Sequence, residues 1–299
     1  MSHAQTAAQA ELLTAGPSAH AAPPGRWGAL HAEWTAMPDT LRAEWTKLRT
    51  VSGTAWLLIA VVTLTVAMGA AAVAATKCTP SLTGSPCSVD TTKLSLTGIY
   101  LGQAAVAVLA VLAVSNEYST GMIRVTLAAM PRRLAVLAAK GAIVGALVLM
   151  AGTVAVAGSL LAGRLILPGN GFTVASGSPA LSLAHGPTLR AACGSVLYLT
   201  LIALFSVGIA AAVRDSAVSI GLSLGVLYLP PILIATRVTN PVWLHRLERY
   251  TPMSAGLTIQ ATTGLRSLAI TPWAGLGVLA VWAAGTLLVG GFLLRLRDA

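Results

Sequence analysis

Six apolar stretches, each of about 20 residues or more and nearly free of charge, constrain this chain more than any other feature. A helix of that length crosses a hydrocarbon core of about 30 Å. A β-barrel is disfavoured, because apolar and polar residues alternate only weakly in these stretches. We therefore predict an all-α polytopic membrane protein, in which helices satisfy the backbone polar groups internally. The predicted spans are residues 54–75, 96–115, 134–161, 189–213, 217–235 and 273–294.

The composition excludes an ordinary soluble domain. Of the 299 residues, 56% are apolar and only 9% are charged, whereas charged residues make up about 25% of a typical soluble domain. The net charge of +10 does not indicate nucleic-acid binding, because the basic residues form no stripe with stacking aromatic residues. Arginine outnumbers lysine 15 to 4, and Ala, Gly, Leu and Val dominate, which hints at a GC-rich bacterial genome. We predict a multi-pass protein of a bacterial inner or plasma membrane.

Basic residues near the span ends predict the orientation. An even number of spans places both termini on one side, and many basic residues beside the spans fall on that side. Because such residues are enriched in cytoplasmic loops, we expect both termini and residue 124 in the cytoplasm and residues 85, 175 and 245 outside. The basic residues concerned are Arg42, Lys47, Arg49, Arg124, Arg132, Arg133, Lys140, Arg214, Arg295 and Arg297.

The chain before the first span divides into two parts. Residues 1–29 are rich in Ala, Pro, Gly and Ser, and we expect a disordered leader because they bury too little apolar surface to offset ordering entropy. Residues 30–53 are predicted to be an interfacial amphipathic segment, in which Leu41, Trp45 and Leu48 share one helix face. Residues 54–299 then form the six-span transmembrane domain. The leader does not have the pattern of a signal peptide, so we expect the first span to direct insertion.

Residues 116–133, between the second and third predicted spans, combine charged and polar side chains with large apolar ones. Their carboxylate, hydroxyls and three arginines cannot rest in hydrocarbon, yet five large apolar residues make them unlike a solvated loop. Ser119 and Thr120 can cap a short helix over residues 121–129, and Pro131 then ends it. We predict an amphipathic hairpin at the membrane surface that a protein outside the membrane contacts. The apolar residues are Met122, Ile123, Val125, Leu127 and Met130.

The order of these residues resembles that of a known family. The run Glu117-Tyr118-Ser119-Thr120-Gly121, with Ile123-Arg124, Leu127 and Pro131-Arg132-Arg133 after it, is similar to the first cytoplasmic loop of permeases from the second exporter class of ATP-binding cassette (ABC) transporters. The run Glu44-Trp45-Thr46-Lys47-Leu48-Arg49 is similar to the N-terminal elbow helix of these permeases. Residues 242–250, followed by Thr251-Pro252, resemble their short external re-entrant helices. A solvated loop on the outer surface is the alternative interpretation of residues 242–250.

The resemblance implies a set of contacts and partners. In that family the loop between the second and third spans is a cytoplasmic coupling helix that touches the ATPase. The implied partners are cytosolic ABC ATPase subunits, which bind ATP and magnesium, a second permease copy in a homodimer or heterodimer, and membrane lipid. The residues implied for ATPase coupling are Glu117, Tyr118, Thr120, Gly121 and Arg124. The residues implied for the interfacial elbow are Leu41, Glu44, Trp45, Lys47 and Arg49.

The sequence has no machinery of its own for hydrolysis. It contains no G-x-x-x-x-G-K-[ST] phosphate loop, so we predict that the chain is not an enzyme and binds no cofactor itself. Its five histidines lie far apart in sequence, which argues against a metal site. Apart from Arg190 at the very start of the fourth predicted span, the only charge inside a predicted span is Lys140. It lies about two helical turns from the cytoplasmic end, where it can snorkel to the surface as a topology anchor. A proton- or sodium-coupled carrier is therefore disfavoured.

We accordingly predict the transmembrane permease subunit of an ATP-driven ABC exporter, which forms the substrate pathway and couples to a separate ATPase. A membrane regulator or scaffold that transports nothing is the alternative, because it also tolerates featureless spans and an amphipathic loop. The apolar walls fit lipids, hydrophobic drugs and peptides equally, so they do not identify a substrate.

Three local patterns predict finer detail. Cys78 and Cys87 lie in a loop predicted outside, in an oxidising place, and predict a short disulfide; two free thiols are the alternative. The spacings Gly141-x-x-x-Gly145 and Gly221-x-x-x-Gly225 predict close packing of helices within one subunit. The pair Pro230-Pro231 predicts a kink or the end of the fifth span.

Overall fold

The computed structural model describes residues 52–78, 89–119, 133–173, 181–182, 184–237 and 241–296. These residues form nine α-helices joined by short 3-10 turns and loops, and they contain no strand. The helices are α1 Ser52–Ala75, α2 Thr91–Ser95, α3 Ile99–Ser119, α4 Arg133–Ile166, α5 Gly186–Val213, α6 Ser216–Arg237, α7 Pro241–Tyr250, α8 Pro252–Leu257 and α9 Pro272–Leu296.

Six of these helices, α1, α3, α4, α5, α6 and α9, are long and apolar enough to cross a membrane. The prediction of an all-α polytopic membrane protein is confirmed at this level. The largest difference concerns α4, which continues past the predicted end at residue 161 and is followed by the 3-10 turn Leu167–Asn170. Arg164 lies exposed on this extension and does not interrupt it, so the helix ends only before Pro168. Its 34 residues extend about 51 Å, which exceeds a hydrocarbon core of about 30 Å.

The fifth span continues past the proline pair, where either a kink or an end was predicted. Helix α6 contains both Pro230 and Pro231 and ends at Arg237, so the prediction that it ends at the prolines is wrong. A proline removes one backbone donor, and membrane helices tolerate this where local adjustment satisfies the freed carbonyl groups again.

Two contacts show that α3 is antiparallel to both α4 and α6. Near the start of α4, Lys140 contacts the carbonyl oxygen of Ala113 near the end of α3. Near the start of α3, the carbonyl oxygen of Tyr100 accepts a hydrogen bond from the hydroxyl of Tyr228, in the second half of α6.

Two other contacts join parallel helices and define the ends of the bundle. Asn170, directly after α4, donates from Nδ2 to the carbonyl oxygen of Val73 at the end of α1, at 2.8 Å. The hydroxyl of Thr286 on α9 donates to the carbonyl oxygen of Phe205 on α5, at 3.1 Å. The start of α1 and the end of α9 therefore lie at one end, here called the terminal end, and the other is called the capped end. That the terminal end is cytoplasmic stays a prediction.

Helices α3, α4 and α5 form the centre of the bundle. In the most apolar window of each helix, 56% of the residues of α3 and of α4 and 61% of those of α5 are buried. The corresponding shares are 22% for α1, 17% for α6 and 28% for α9. Helices α5 and α9 approach closely at Gly208, where an added Cβ would lie 2.5 Å from the carbonyl carbon of Thr286.

The two predicted glycine pairs behave differently. Cβ atoms at Gly141 and Gly145 would touch the side chain of Leu204 on α5 at 3.6 and 3.8 Å, so the predicted packing is confirmed for α4. On α6, a Cβ at Gly221 would meet no described atom within 4 Å, and one at Gly225 would meet only Leu229 of the same helix. The prediction is wrong for α6, because this glycine pair faces away from the other described helices.

Candidate functional site

The chain turns back into the bundle after α6. We call residues 241–263 the cap; they comprise α7, α8, the 3-10 turn Thr258–Gln260 and the residues that follow it. Helix α7 lies at the surface with Trp243 and Arg246 exposed. Helix α8 begins with Pro252, whose fixed backbone angle suits a first helical turn, and most of its residues are buried. The predicted segment, residues 242–250, therefore lies at the surface as α7, and the buried helix is α8, which follows it.

Glycine allows α8 to enter the bundle deeply. A Cβ at Gly256 would lie 2.6 Å from the ring of Tyr198 on α5 and 3.3 Å from Leu279 on α9. Tyr198 lies twelve residues beyond the start of α5, or about 18 Å along the helix. A Cβ at Gly194, one turn earlier on α5, would collide with Ile259 in the 3-10 turn of the cap. The cap thus fills the space between α5 and α9 at the capped end.

A buried polar network lies beneath the cap. The hydroxyl of Tyr198 donates to Oε1 of Gln103 on α3, and Nε2 of Gln103 donates to the sulfur of Met253 on α8 at 3.3 Å. Gln103 and Tyr198 are completely buried. Because unsatisfied polar groups are costly in such surroundings, these bonds fix α3, α5 and the cap relative to one another.

The carboxylate of Asp90 binds the last two residues of the cap. Asp90, the N-cap of α2, accepts from the backbone N–H of Lys93 at 3.0 Å and from the backbone N–H groups of Thr262 and Thr263 at 2.6 and 3.1 Å. The hydroxyl of Thr262 donates to Asp90 at 2.7 Å. Burial alone would raise the pKa of Asp90, but these hydrogen bonds outweigh burial and lower the pKa below its ordinary value. Arg190 adds a second tie, since its guanidinium donates to the carbonyl oxygen of Ala261 at 2.6 Å.

A cavity of about 400 Å³ opens between the cap and the ends of α3 and α6. Its apolar wall includes Pro231, Ile234 and Leu257, and its charged groups are Lys93 and Glu248, which have opposite signs. Tyr100 and Met253 also line it, so the cavity borders the buried polar network. A small amphipathic molecule is the kind of ligand that such a mixed lining fits.

Gln260, in the last turn of the cap, is a buried polar group of another kind. Its side chain is 1% exposed, and neither amide atom has a hydrogen-bond partner among the described residues. Buried amides in folded proteins are normally paired with protein or with ordered water. Among the described residues, no three His, Cys, Asp or Glu side chains come together in a way that could hold a metal ion.

The predicted coupling contact falls at the terminal end. Glu117 and Tyr118 belong to the last turn of α3, but their side chains lie outside the described part of the chain. Thr120, Gly121 and Arg124 lie outside it altogether. The leader and the elbow residues Leu41, Glu44, Trp45, Lys47 and Arg49 do so as well, and the corresponding predictions stand as made.

Lys140 differs from its prediction. The side chain is 5% exposed, and its ammonium group donates to the carbonyl oxygen of Ala113 at 3.0 Å. Snorkelling to the surface is therefore wrong, because a carbonyl oxygen of the neighbouring helix accepts from the ammonium group inside the bundle. The bond ties the start of α4 to the end of α3, just before the predicted coupling segment.

The structure describes two of the three cysteines. Cys78 is disulfide-bonded, and its backbone N–H donates to the carbonyl oxygen of Asn170 at 2.9 Å. Its predicted partner Cys87 lies outside the described residues, so that pairing stays a prediction. Cys193 on α5 is an exposed free thiol. Cys78 packs with Val73, Leu167 and Phe172 in a small apolar cluster at the capped end.

Sequence reasoning missed most residues of this site. The side chain of Asp90 directly before Thr91-Thr92 is a helix N-cap signal that could have been found. Its bonds to Thr262 and Thr263 join residues more than 170 positions apart, and no local pattern announces them.

The chain was compared with known proteins. No model of a known protein family matches it, and no curated protein matches it either.

Proposed function

We propose that this chain is the permease subunit of an ATP-driven ABC exporter of the second class, working with separate cytosolic ATPase subunits that bind ATP and magnesium. The observation that carries the proposal is the difference between the two ends of the bundle. A re-entrant cap fills one end between the spans. At the other end, the residue order of the family's coupling loop follows directly after α3.

Helix α3 is the element that connects these two ends. Its last turn contains Glu117, and Gln103 near its start bonds to Tyr198 and to Met253 of the cap. Fourteen residues separate Gln103 from Glu117, which is about 21 Å of helix. In this proposal the ATPase moves the segment after α3, the Lys140–Ala113 contact carries α4 along, and α3 transmits the displacement to the cap.

The cavity beneath the cap is the proposed exit of the substrate pathway. With the cap in place, the space between α5 and α9 is filled, and the cavity of about 400 Å³ lies beside the cap. Release of the bonds at Asp90 and Gln103 would let the cap move and join this cavity to the outside. In this proposal the described arrangement is one state of the pathway, and the energy for changing it comes from the partner.

Coupling is tested by co-expressing the chain with an ABC ATPase, chosen as the product of a neighbouring gene that carries a phosphate loop and an ABC signature. Glu117→Arg and Gly121→Pro are expected to lower ATP turnover of the complex and export by about tenfold or more, because a coupling contact depends on charge and backbone geometry. Arg164→Glu, a charge reversal on exposed helix surface at the capped end, is the control and should change neither. If both test variants assemble, turn over ATP and export like the parent, the coupling role is wrong.

A reversible disulfide crosslink tests whether the cap must move for export. The same experiment distinguishes a transporter from a regulator. In a Cys193→Ser background, Asp90→Cys with Thr262→Cys places two thiols where the carboxylate and its partner now meet. Oxidation should stop export and subsequent reduction should restore it, whereas the Cys193→Ser parent should pass through the same treatment unchanged. Export that continues at full rate with the crosslink complete would favour a regulator or scaffold.

Orientation has a separate test. A single cysteine at residue 124 should react with an impermeant thiol reagent only after the cells are permeabilised, and one at residue 245 should react in intact cells. Labelling of residue 124 in intact cells would reverse the orientation on which the cytosolic contact depends.

A further inference from the structure

A second cavity, of about 620 Å³, lies on the surface side of the cap. Helix α7 contributes Arg246 and Arg249 to its lining, and Arg266, in the 3-10 turn Leu265–Ser267, also lines it. All three arginine side chains are exposed. We call this cavity the basic cleft. Its existence does not depend on the proposed transport function.

The basic cleft carries an excess of positive charge. In the cavity beneath the cap, Lys93 is matched by Glu248, whereas no carboxylate lines the basic cleft. Glu248 instead faces His245 on the same helix, with 3.8 Å between Oε2 and Nδ1. Among the described residues, no carboxylate forms an ion pair with any of the three arginines. Three like charges around one cavity repel one another, and a bound anion would relieve that repulsion.

An exposed tryptophan lies beside one arginine of the basic cleft. Trp243 and Trp273 are exposed, and the ring of Trp243 lies 5.6 Å from the guanidinium carbon of Arg246. Tryptophan and tyrosine concentrate where hydrocarbon meets headgroups, and basic cavities beside membrane helices bind phospholipid headgroups.

The wall of the basic cleft is apolar as well as charged. Tyr250, Leu268 and Ala269 line it beside the arginines, and residues 267–269 also line the cavity beneath the cap. A ligand there would place an anionic group among the guanidinium groups and an apolar group against this wall. An inorganic anion would use only half of that surface.

We propose that the basic cleft binds a phosphate-bearing anionic headgroup, held by Arg246, Arg249 and Arg266. Guanidinium groups suit this role because each can form two parallel hydrogen bonds to one phosphate. The phosphate can come from a phospholipid of the surrounding leaflet or from a soluble phosphorylated compound. The apolar wall favours the lipid.

The experiment uses the purified full chain in a neutral detergent. The probes are dihexanoyl phosphatidylglycerol, dihexanoyl phosphatidylcholine and inorganic phosphate, and binding is followed by the shift in thermal unfolding and by native mass spectrometry. Phosphatidylglycerol should bind about tenfold more tightly than phosphatidylcholine, because only its headgroup has a net negative charge. Inorganic phosphate should compete only weakly. Competition as strong as that of phosphatidylglycerol would support the site but assign it to a soluble phosphate compound.

Arginine variants decide whether the cleft is the site. The triple change Arg246→Gln, Arg249→Gln and Arg266→Gln should lower affinity for phosphatidylglycerol about tenfold, whereas Arg164→Gln should leave it unchanged. If the triple variant does not elute as a monodisperse peak, Arg246→Gln and Arg266→Gln are measured singly, each with an expected loss of about threefold. Unchanged affinity in these variants would overturn the proposal. So would an equal loss in Arg164→Gln, because binding would then follow overall charge.

Discussion

Two groups of helices are similar in composition but differ in burial and in their packing contacts. The inner group is α3, α4 and α5, and the outer group is α1, α6 and α9. The most apolar windows of α1 and α5 have the same mean hydropathy of 2.4, yet 22% of the residues of the first are buried and 61% of those of the second. Gln103 and Tyr198 form a hydrogen bond inside the centre, and Gly208 lets the central helix α5 approach the outer helix α9 closely. The outer helices present side chains such as Val281 and Leu288, which are 72% and 73% exposed.

This difference shows which forces arrange helices in lipid. Lipid chains are as apolar as leucine, so apolar residues alone do not draw one helix against another. Small residues that allow backbones to approach and polar groups that require a partner decide where helices contact one another. The following changes test that distinction, in order of decreasing effect.

Gly208→Ala should have the largest effect. The new Cβ would lie 2.5 Å from the carbonyl carbon of Thr286 and 2.6 Å from the backbone nitrogen of Leu287, where only a backbone shift gives relief. We expect a loss of about 3 kcal/mol, measured by thermal unfolding in detergent. Gly285→Ala on α9 is the matched control, since a Cβ there meets no described atom within 4 Å. Equal stability of the two variants would break the comparison between inner and outer positions.

Tyr198→Phe should cost about 2 kcal/mol, because it leaves Oε1 of the buried Gln103 without its donor. Tyr250→Phe is the control, since Tyr250 is 61% exposed and its change should be close to neutral. Unfolding of the two purified variants is compared under identical conditions. A neutral Tyr198→Phe would mean that the hydroxyl adds nothing to the packing of its ring.

Asp90→Asn tests a polar contact at the edge of the bundle and predicts a pH dependence. The pKa of Asp90 in the folded chain lies below its ordinary value of 3.8, so its contribution to stability is fully present above that value. It is lost as the pH falls through the lower, folded pKa. At pH 7 the variant should therefore lower protection of the Thr262 and Thr263 amides against hydrogen exchange, by about 1 kcal/mol.

The same exchange measurement below pH 3.8 supplies the control. The difference between parent and Asp90→Asn should shrink there, because the carboxylate released by opening takes up a proton below 3.8, whereas the bonded carboxylate does so only at its lower pKa. A difference that stays constant from pH 7 to pH 3 would show that charge on Asp90 does not hold the cap.

Leu288→Ala should have the smallest effect on the isolated chain, less than about 0.5 kcal/mol, because its side chain is 73% exposed. Leu279→Ala on the buried face of the same helix should cost about 3 kcal/mol. Unfolding is measured at several protein concentrations. A concentration-dependent loss in Leu288→Ala would sharpen the comparison by showing that a second copy covers this face.

The sequence was sufficient for the spans because a long uncharged run in lipid has one stable backbone arrangement. It was insufficient where a tertiary partner decided the outcome. Lys140 is buried, and its ammonium group donates a hydrogen bond to the carbonyl oxygen of Ala113. Helix α6 continues through Pro230 and Pro231 even though the pattern also allowed an end there. The amphipathic pattern of α7 was visible in advance, but the entry of α8 depends on Gly256 fitting the ring of Tyr198. That match appears only after both elements are in place.

The cap also constrains the order in which the protein can be assembled. Its buried face packs on Gly275 and Leu279 of α9, a helix that leaves the ribosome after the cap has been synthesised. Until α9 enters the membrane, the surface of Gly256 and its neighbours lacks one wall of its site. A nascent chain stalled before residue 272 should therefore expose the cap to protease, whereas the finished chain should protect it. The sixth span would therefore be the element whose insertion completes folding.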